Sequence, residues 1–424
     1  LVFYHFFHPD DVAGARQFSD LAEEQARRGW EVTAVTSNRA CHDAKVRFPR
    51  RESWRGVDVR RVFRPAWPQA RALPRLGNSA FLLGAWSAAI PTLPPADAAV
   101  IGSDPAFAPL LALALRAARR RLAILHWCFD LYPEAIVADR LSEREAVGSR
   151  ERRASGPALA RPLVLVAGRM VAAAYRACDV LVDLGPTMRA RLAAAAGGAR
   201  RHETLTPWAL TEPPAPLVPD ARLRAALFPG ARLALLYAGT LGRAHDFELF
   251  LALARACRER SGRAIQLCFA SRGNRQAELE AALRPDDVNV SLAPFASEAE
   301  LEARLGAADL HLVSLRPEWA GVVVPSKLYG SLAAGRPVLY AGPEDSEIAA
   351  LVRELGVGLC LARQDDVPRV AARLEALAAD PAPLAGWQAR AHAAYGARFS
   401  KRIVNDRWDG LLREVVASRR ALSP

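Results

Sequence analysis

One pattern restricts what this chain can fold into more than any other: strand, loop, amphipathic helix, strand, repeated along the sequence. The apolar, β-prone run Leu1–Phe7 is followed by the loop His8-Pro9-Asp10-Asp11. A helical stretch from Ala15 to Arg28 then carries Phe18, Leu21, Ala22 and Ala26 at helical spacing. Gly29 stands where a helix C-terminal cap belongs, and Glu31–Thr36 alternates as a strand. A strand-helix-strand unit of this kind is the building block of a parallel α/β sheet. Further strands are predicted at Val57–Phe63, Ala98–Ile101, Leu122–Leu125 and Val180–Asp183, with helices at Phe107–Ala118, Leu159–Ala177 and Thr187–Ala196.

The segment Thr206–Pro219 holds five prolines in fourteen residues and interrupts the series. Proline continues neither helix nor strand, so this is the best linker in the chain. A second α/β series follows, with strands predicted at Leu233–Ala238, Ile265–Ala270, Val288–Leu292, Leu310–Leu315 and Val338–Ala341. The tail from Pro381 to Ser418 reads as amphipathic helix. At 424 residues the chain is too long for one small core. The expected division is 1–206, a linker 207–219, a second domain 220–390, and a helical tail 391–424 returning to the first domain. Two α/β domains joined in this way are expected to share a ligand cleft.

The net charge of +12 is lopsided, with +10 in residues 1–210 and +2 in the remainder. A basic half suggests an anionic partner. Yet 54 of the 57 basic residues are Arg, a bias that reads as coding composition and weakens a chemical reading of Arg richness. No RNA-binding aromatic signature or helix-turn-helix pattern accompanies the charge, which argues against nucleic acid. The six cysteines are scattered without a CxxC pair or a His cluster, so structural zinc and a disulfide framework are not expected, and a reducing compartment fits. The chain opens in the apolar run without Met, and the first strand is expected to begin upstream. Ala80–Pro95 and Pro157–Ala174 are apolar but broken by Pro or Arg, short of a ~20-residue membrane span.

Four constellations carry chemistry. Pro9-Asp10-Asp11-Val12-Ala13-Gly14-Ala15 places a glycine at a strand-to-helix turn, where backbone N–H groups can meet a phosphate; it has no GxGxxG spacing and is otherwise a plain turn. Tyr237-Ala238-Gly239-Thr240-Leu241-Gly242-Arg243 sets two glycines and an Arg between strand and helix, as a phosphate cradle or a tight turn with a solvated Arg. His245-Asp246 beside it reads as a helix start. Val324-Pro325-Ser326-Lys327-Leu328-Tyr329-Gly330 contains one of only three lysines, in the first turn of a helix, where its charge opposes the macrodipole unless an anion shares the site. Ser326 is a candidate cap. Trp127-Cys128-Phe129-Asp130-Leu131-Tyr132-Pro133-Glu134 offers Asp130 as a proton acceptor, a sugar-hydroxyl ligand or a helix cap.

With these four in this order, the chain resembles a family 4 glycosyltransferase of the two-domain GT-B type, similar to the bacterial surface-polysaccharide branch. The marks are HPDDVAGARQFSDLAEEQARRGWEVTAVTSN, WCFDLYPEAI, YAGTLGRAHD and VPSKLYGSLAAGRPVLYAGPEDSEIA. The resemblance implies two Rossmann-like α/β/α domains and a nucleoside-diphosphate sugar donor bound mostly by the second. It places Arg243 and Lys327 on the diphosphate, with Gly14, Gly239 and Ser326 around it and Glu347 near the donor sugar or ribose. Asp130 takes the catalytic or hydroxyl-binding place, with Asp10 and Trp127 on the acceptor side. It also implies retention of anomeric configuration, no cofactor and no metal. No Asp-x-Asp triplet occurs, and Arg, Lys and helix N-termini would stabilise the leaving diphosphate instead. The acceptor would be a polyprenyl-diphosphate-linked or nascent glycan, at the cytoplasmic face of a bacterial membrane. Arg71, Arg75 and Arg119-Arg120-Arg121, with Phe81–Trp86 between them, would either meet an anionic membrane or form a solvated basic face without function.

Two features depart from the family pattern. Val322 and Gly330 stand where it often has two glutamates, and His245-Asp246 replaces a frequent Lys-Gly. Two alternatives therefore stay open. One is a catalytically degenerate GT-B scaffold of a polysaccharide assembly complex. The other is a GT-B sugar-nucleotide epimerase, which needs further acid/base residues that the sequence does not offer.

Overall fold

The computed structural model describes residues 1–68, 72–146, 160–197 and 201–421. Arg71 lies outside them. The chain divides into two units, Leu1–Arg140 with Arg144–Thr206 and Val404–Pro424, and Leu141–Glu143 with Pro207–Ile403.

The first unit is built on eight strands among the described residues: β1 (Val2–Phe3), β2 (Val32–Ser37), β3 (Arg51–Trp54), β4 (Val57–Val62), β5 (Ala98–Gly102), β6 (Ala123–Trp127), β7 (Val180–Asp183) and β8 (Arg201–Thr204). Their order is β3-β4-β2-β1-β5-β6-β7-β8, parallel except for the β3–β4 pair. The second holds β9 (Leu233–Thr240), β10 (Ile265–Arg272), β11 (Val290–Ala293), β12 (Leu310–Ser314), β13 (Val338–Ala341) and β14 (Gly358–Leu361), all parallel in the order β11-β10-β9-β12-β13-β14. That is the doubly wound order 3-2-1-4-5-6. Both sheets reverse direction once, at β1/β5 and at β9/β12, and a ligand site belongs outside the carboxyl ends of strands at such a reversal.

The alternation of β9 shows how the strand sorts its core. Leu233, Leu235 and Tyr237 join one buried cluster with Phe250, Leu267 and Leu374, while Ala234 and Leu236 join another with Phe228, Cys268 and Ala307. Helices on both faces leave these strands no polar side, which is why they read as continuous apolar runs.

Three strands escape that signal. β3 is polar (RESW) and forms a hairpin with β4 across Arg55 and Gly56, both at positive φ (47° and 83°), a turn matched to strand twist. β8 (RHET) is an edge strand, and β14 contains Gly358, whose missing Cβ admits the carbonyl of Val338. Ala80–Pro95, weighed above as a membrane segment, is the second half of the helix Ala72–Ala89 and the turn Ile90–Thr92. No helix among the described residues is long and apolar enough to cross a membrane.

The Pro-rich segment is packed, not a free tether. Trp208 is buried, Leu217 N–H donates to Ala334 O, and Pro216 fills the space beside Gly335. The tail is two helices, Ala382–Arg398 and Lys401–Ala421. The chain passes to the first unit at 403/404 instead of 391, because the earlier helix is held in the second unit. There His392 Nδ1 meets Ala333 O at 2.9 Å, and Tyr395 Oη lies 2.9 Å from Ala209 N. The last helix is fastened to the first unit by Trp30 Nε1–H donating to Asp409 (2.8 Å), Arg28–Asp406 (2.8 Å) and Arg201–Glu414 (2.6 Å). Trp408, wholly buried, stands edge-on to Trp127 at 5.0 Å. Trp408→Ala is expected to cost about 3–5 kcal/mol of stability, read as a lowered urea midpoint of the transition that exposes this unit.

Arg119, proposed above for membrane contact, has a structural task. Its guanidinium donates to the carbonyls of Pro94, Ile90 and Leu93 and closes the turn after the helix Ala72–Ala89.

Candidate functional site

In the second unit, the β9/β12 reversal gathers the conspicuous residues of two distant motifs. Lys327 opens the helix Lys327–Ala333, and its stem runs back past Gly239 to the end of β9. Gly239 has φ +125°, and a Cβ there would stand 3.0 Å from Lys327 Cε, so both backbone and space demand glycine. Lys327 Nζ donates to Thr240 O at 2.8 Å, lies 3.0 Å from His245 Nε2, and sits 5.0 Å over the ring of Tyr237. Burial pushes the Lys327 ammonium down to about 7.

His245 and Asp246, read above as one helix start, divide their tasks. Asp246 stands one residue before the cap position Phe247 of the helix Glu248–Ser261 and accepts from Glu248 N at 2.7 Å. His245 turns to the lysine, and its Nδ1 accepts from Gly242 N at 3.0 Å. Burial, with Lys327 and Arg275 adding to it, holds His245 well below the ordinary histidine range, so the ring is neutral. Arg275 Nη1 donates to His245 O at 2.5 Å and is itself tied to Glu248 and Glu278. The strand reversal is locked by Asp246 N–H to Ser314 Oγ (3.1 Å) and Arg316 N–H to Ala244 O (2.8 Å).

Arg243 is half-buried in the same turn. Ser326 precedes the lysine helix without capping it: its backbone is already helical and its side chain makes no cap bond. Glu347 is buried at the start of the helix Glu347–Leu355, after Ser346, whose Oγ accepts from Ala349 N. Val322 is buried, and Gly330 lies within the Lys327–Ala333 helix.

In the first unit, the β1/β5 reversal brings together residues that motif reading passed over. His5 N–H donates to Asp104 O at 3.0 Å, and His5 Nδ1 lies 3.1 Å from Asp104 Oδ1. Ser103 Oγ accepts from the N–H groups of Phe129 and Asp130, both at 3.1 Å, and holds the loop after β6 beside them. Burial, reinforced by the Asp104 carboxylate and opposed by Arg75, pushes Asp130 up to about 7. A carboxyl poised near neutrality suits proton transfer. Asp10 Oδ1 accepts from Cys41 N at 2.8 Å, and burial raises its carboxyl as well.

Two expectations are corrected here. Trp127 has no surface with which to meet an acceptor: it is wholly buried, donates to Leu205 O at 3.1 Å, and packs against Phe18, Phe129 and Trp408. Gly14 lies inside the helix Ala13–Arg27 instead of before it, and the place of its missing Cβ is taken by the Tyr4 hydroxyl, so the demand for glycine is intramolecular. Among the described residues no group of three His, Cys, Asp or Glu is disposed to hold a metal ion.

No protein-family model matches the chain. The Pseudomonas aeruginosa protein named Probable glycosyltransferase WbjE is 24% identical over 271 residues, 62% of this chain and 61% of that protein; the match thus spans less than two thirds of that relative's length. Among solved structures, sucrose-phosphate synthase from Thermosynechococcus elongatus aligns over 98% of this chain and 99% of its own, with TM-score 0.69 and 17% identity. WaaG, a glycosyltransferase of lipopolysaccharide biosynthesis, aligns over 96% and 99% (TM-score 0.61, 16%). HepE of Anabaena, solved with UDP and glucose, aligns over 97% and 99% (TM-score 0.64, 13%). The likeness runs the length of the chain, and its fold is GT-B.

Proposed function

We propose that this GT-B chain is a retaining glycosyltransferase that moves a sugar from a nucleoside-diphosphate donor to a lipid-linked or nascent surface glycan. The observation that carries the proposal is Lys327. A rare lysine is threaded past a glycine to the sheet reversal, is short of a carboxylate partner among the described residues, and stands beside a turn bearing Arg243. Such a cation is matched by a diphosphate, and transfer to an acceptor hydroxyl needs that leaving group stabilised. Glu347 is assigned to the donor sugar or ribose, and Asp130 to the acceptor hydroxyl, as proton acceptor or hydrogen-bond partner. The relative's name and the UDP and glucose bound by HepE support the donor class. The chemistry runs without a metal or cofactor in this proposal, with Lys327 and Arg243 carrying the charge.

Thermal stabilisation by UDP, GDP or ADP is the test of the donor site, and absence of stabilisation by all three defeats the proposal. Turnover with a polyprenyl-diphosphate sugar distinguishes an enzyme from a scaffold. We further propose that the protein works at the cytoplasmic face of a membrane, met by Arg75 and the exposed Phe63, Trp67, Leu73 and Phe81. Flotation with anionic vesicles is expected to weaken in Arg75→Glu, and unchanged flotation refutes the membrane contact.

A further inference from the structure

We infer that the free protein holds Lys327 as a neutral amine accepting a hydrogen bond from His245 Nε2–H, and that docking of a nucleoside diphosphate returns a proton to it. The inference rests on the donor site proposed above and adds a positioning residue, His245, to it.

The Gly242 amide can only donate, and it lies 3.0 Å from His245 Nδ1. Nδ1 therefore carries a lone pair, and a neutral imidazole must then bear its hydrogen on Nε2. An imidazolium is excluded at this site, because its Nδ1–H would face the Gly242 N–H. Nε2 is 3.0 Å from Lys327 Nζ. One of the two must accept, and Nε2–H cannot. Nζ accepts only with a free lone pair, as an amine; an ammonium would turn N–H against N–H. The amine still has two hydrogens, and one goes to Thr240 O at 2.8 Å.

The surroundings agree. From β9 and its loop the site is faced by the Tyr237 ring and His245; Arg243 and Asp246 stand in the same turn, the latter accepting from Glu248 N. Behind His245 stands Arg275, a cation, committed to Glu248 and Glu278. From β12, His311 meets Ser331 Oγ, and from the helix Ala382–Arg398, His392 meets Ala333 O, each a turn or more along from Lys327. No carboxylate among the described residues pairs with Lys327. Burial disfavours charge on both Lys327 and His245 in the same sense.

A phosphate oxygen entering here supplies the acceptor that the ammonium lacks. Nζ takes a proton from solvent, turns from His245 to the phosphate, and the His245 Nε2–H is freed to donate to the same anion. Protonation is thereby coupled to occupancy, and departure of the diphosphate discharges the lysine again.

The test is calorimetry of UDP, GDP and ADP at pH 8.5 in buffers of different ionisation enthalpy, where the phosphates of these nucleotides are already fully deprotonated. Close to one proton taken up per nucleotide bound is expected, with affinity falling about tenfold per pH unit on the alkaline side. His245→Gln, whose amide can both accept from Gly242 and donate to Nζ, is expected to keep the uptake. His245→Leu leaves the burial that discharges the lysine and removes the second donor to the anion, so it is expected to keep the uptake and to bind the nucleotide more weakly. Binding of any of the three to the wild type without proton uptake overturns the inference and leaves the donor site standing. If none binds, the donor site fails. The inference is then judged by the ring-nitrogen NMR of ¹⁵N-histidine-labelled protein: an Nε2–H tautomer at His245 supports it, and an Nδ1–H tautomer or an imidazolium overturns it.

Discussion

Lys327→Ala is expected to abolish stabilisation by nucleoside diphosphate and to slow sugar transfer about 10²–10³-fold, the usual consequence of removing one preorganised charge from a developing anion. The nucleotide-free protein is expected to melt no lower than wild type. The lysine stem is only half-buried, and its head sits where burial already drives off its proton. Removing it takes a poorly solvated amine out of a buried site and loses little packing. A lysine that merely braced the turn would behave in the opposite way, with a lowered melt and an unaffected nucleotide response. Lys327→Arg is expected to rescue little. The passage beside Gly239 leaves 3.0 Å from the Cβ position to Lys327 Cε, sized for a methylene stem, and a planar guanidinium cannot accept from His245 Nε2–H. Thermal shift and initial rates on the two variants measure all of this.

Lys327 was legible in the sequence because it broke a compositional rule: in a chain that writes nearly every cation as Arg, a lysine at a helix start stands out. Gly239 and Gly242 were legible as punctuation between strand and helix. His245 was not, because adjacent Asp246 gives a complete account of the pair as a helix start, and nothing in one dimension shows that a residue 82 positions away returns to that imidazole. His5 and Asp104 were hidden for related reasons. The histidine is embedded in an apolar run that reads as strand, the aspartate follows a short strand as an ordinary turn residue, and only the β1/β5 pairing makes them neighbours. Trp127 shows the converse error. An indole beside a candidate catalytic Asp looks like a sugar platform, yet strand alternation carries it inward, where the last helix brings Trp408 against it. The parallel order itself was readable from apolar runs, since strands covered on both faces have no other composition. The polar strands β3 and β8 owe their place to pairing at sheet edges, for which sequence periodicity carries no signal.

Asp130→Asn is expected to lower turnover about 10²–10⁴-fold, the range associated with loss of a positioned proton acceptor, while making the folded protein more resistant to unfolding at alkaline pH. The two effects share one cause. Burial beside Asp104 lifts the Asp130 carboxyl from 3.8 to about 7. Between those values the folded chain retains a proton that the unfolded chain has lost, so the stability contributed by this group is full below about 3.8 and drains away as pH rises to about 7. Above that, wild type carries a poorly solvated carboxylate, and asparagine does not. If the carboxylate is the proton acceptor, turnover rises with pH through about 7 in wild type, and that limb is absent in the Asn variant. Asp104→Asn removes the neighbouring charge that helps to hold Asp130 up, and is expected to move the same limb to lower pH without erasing it. Paired pH–rate and pH–stability profiles on the three proteins decide the matter. An Asp130 that serves only to hold its loop predicts that stability falls in the Asn variant at every pH, and that the limb stays in place when Asp104 is changed.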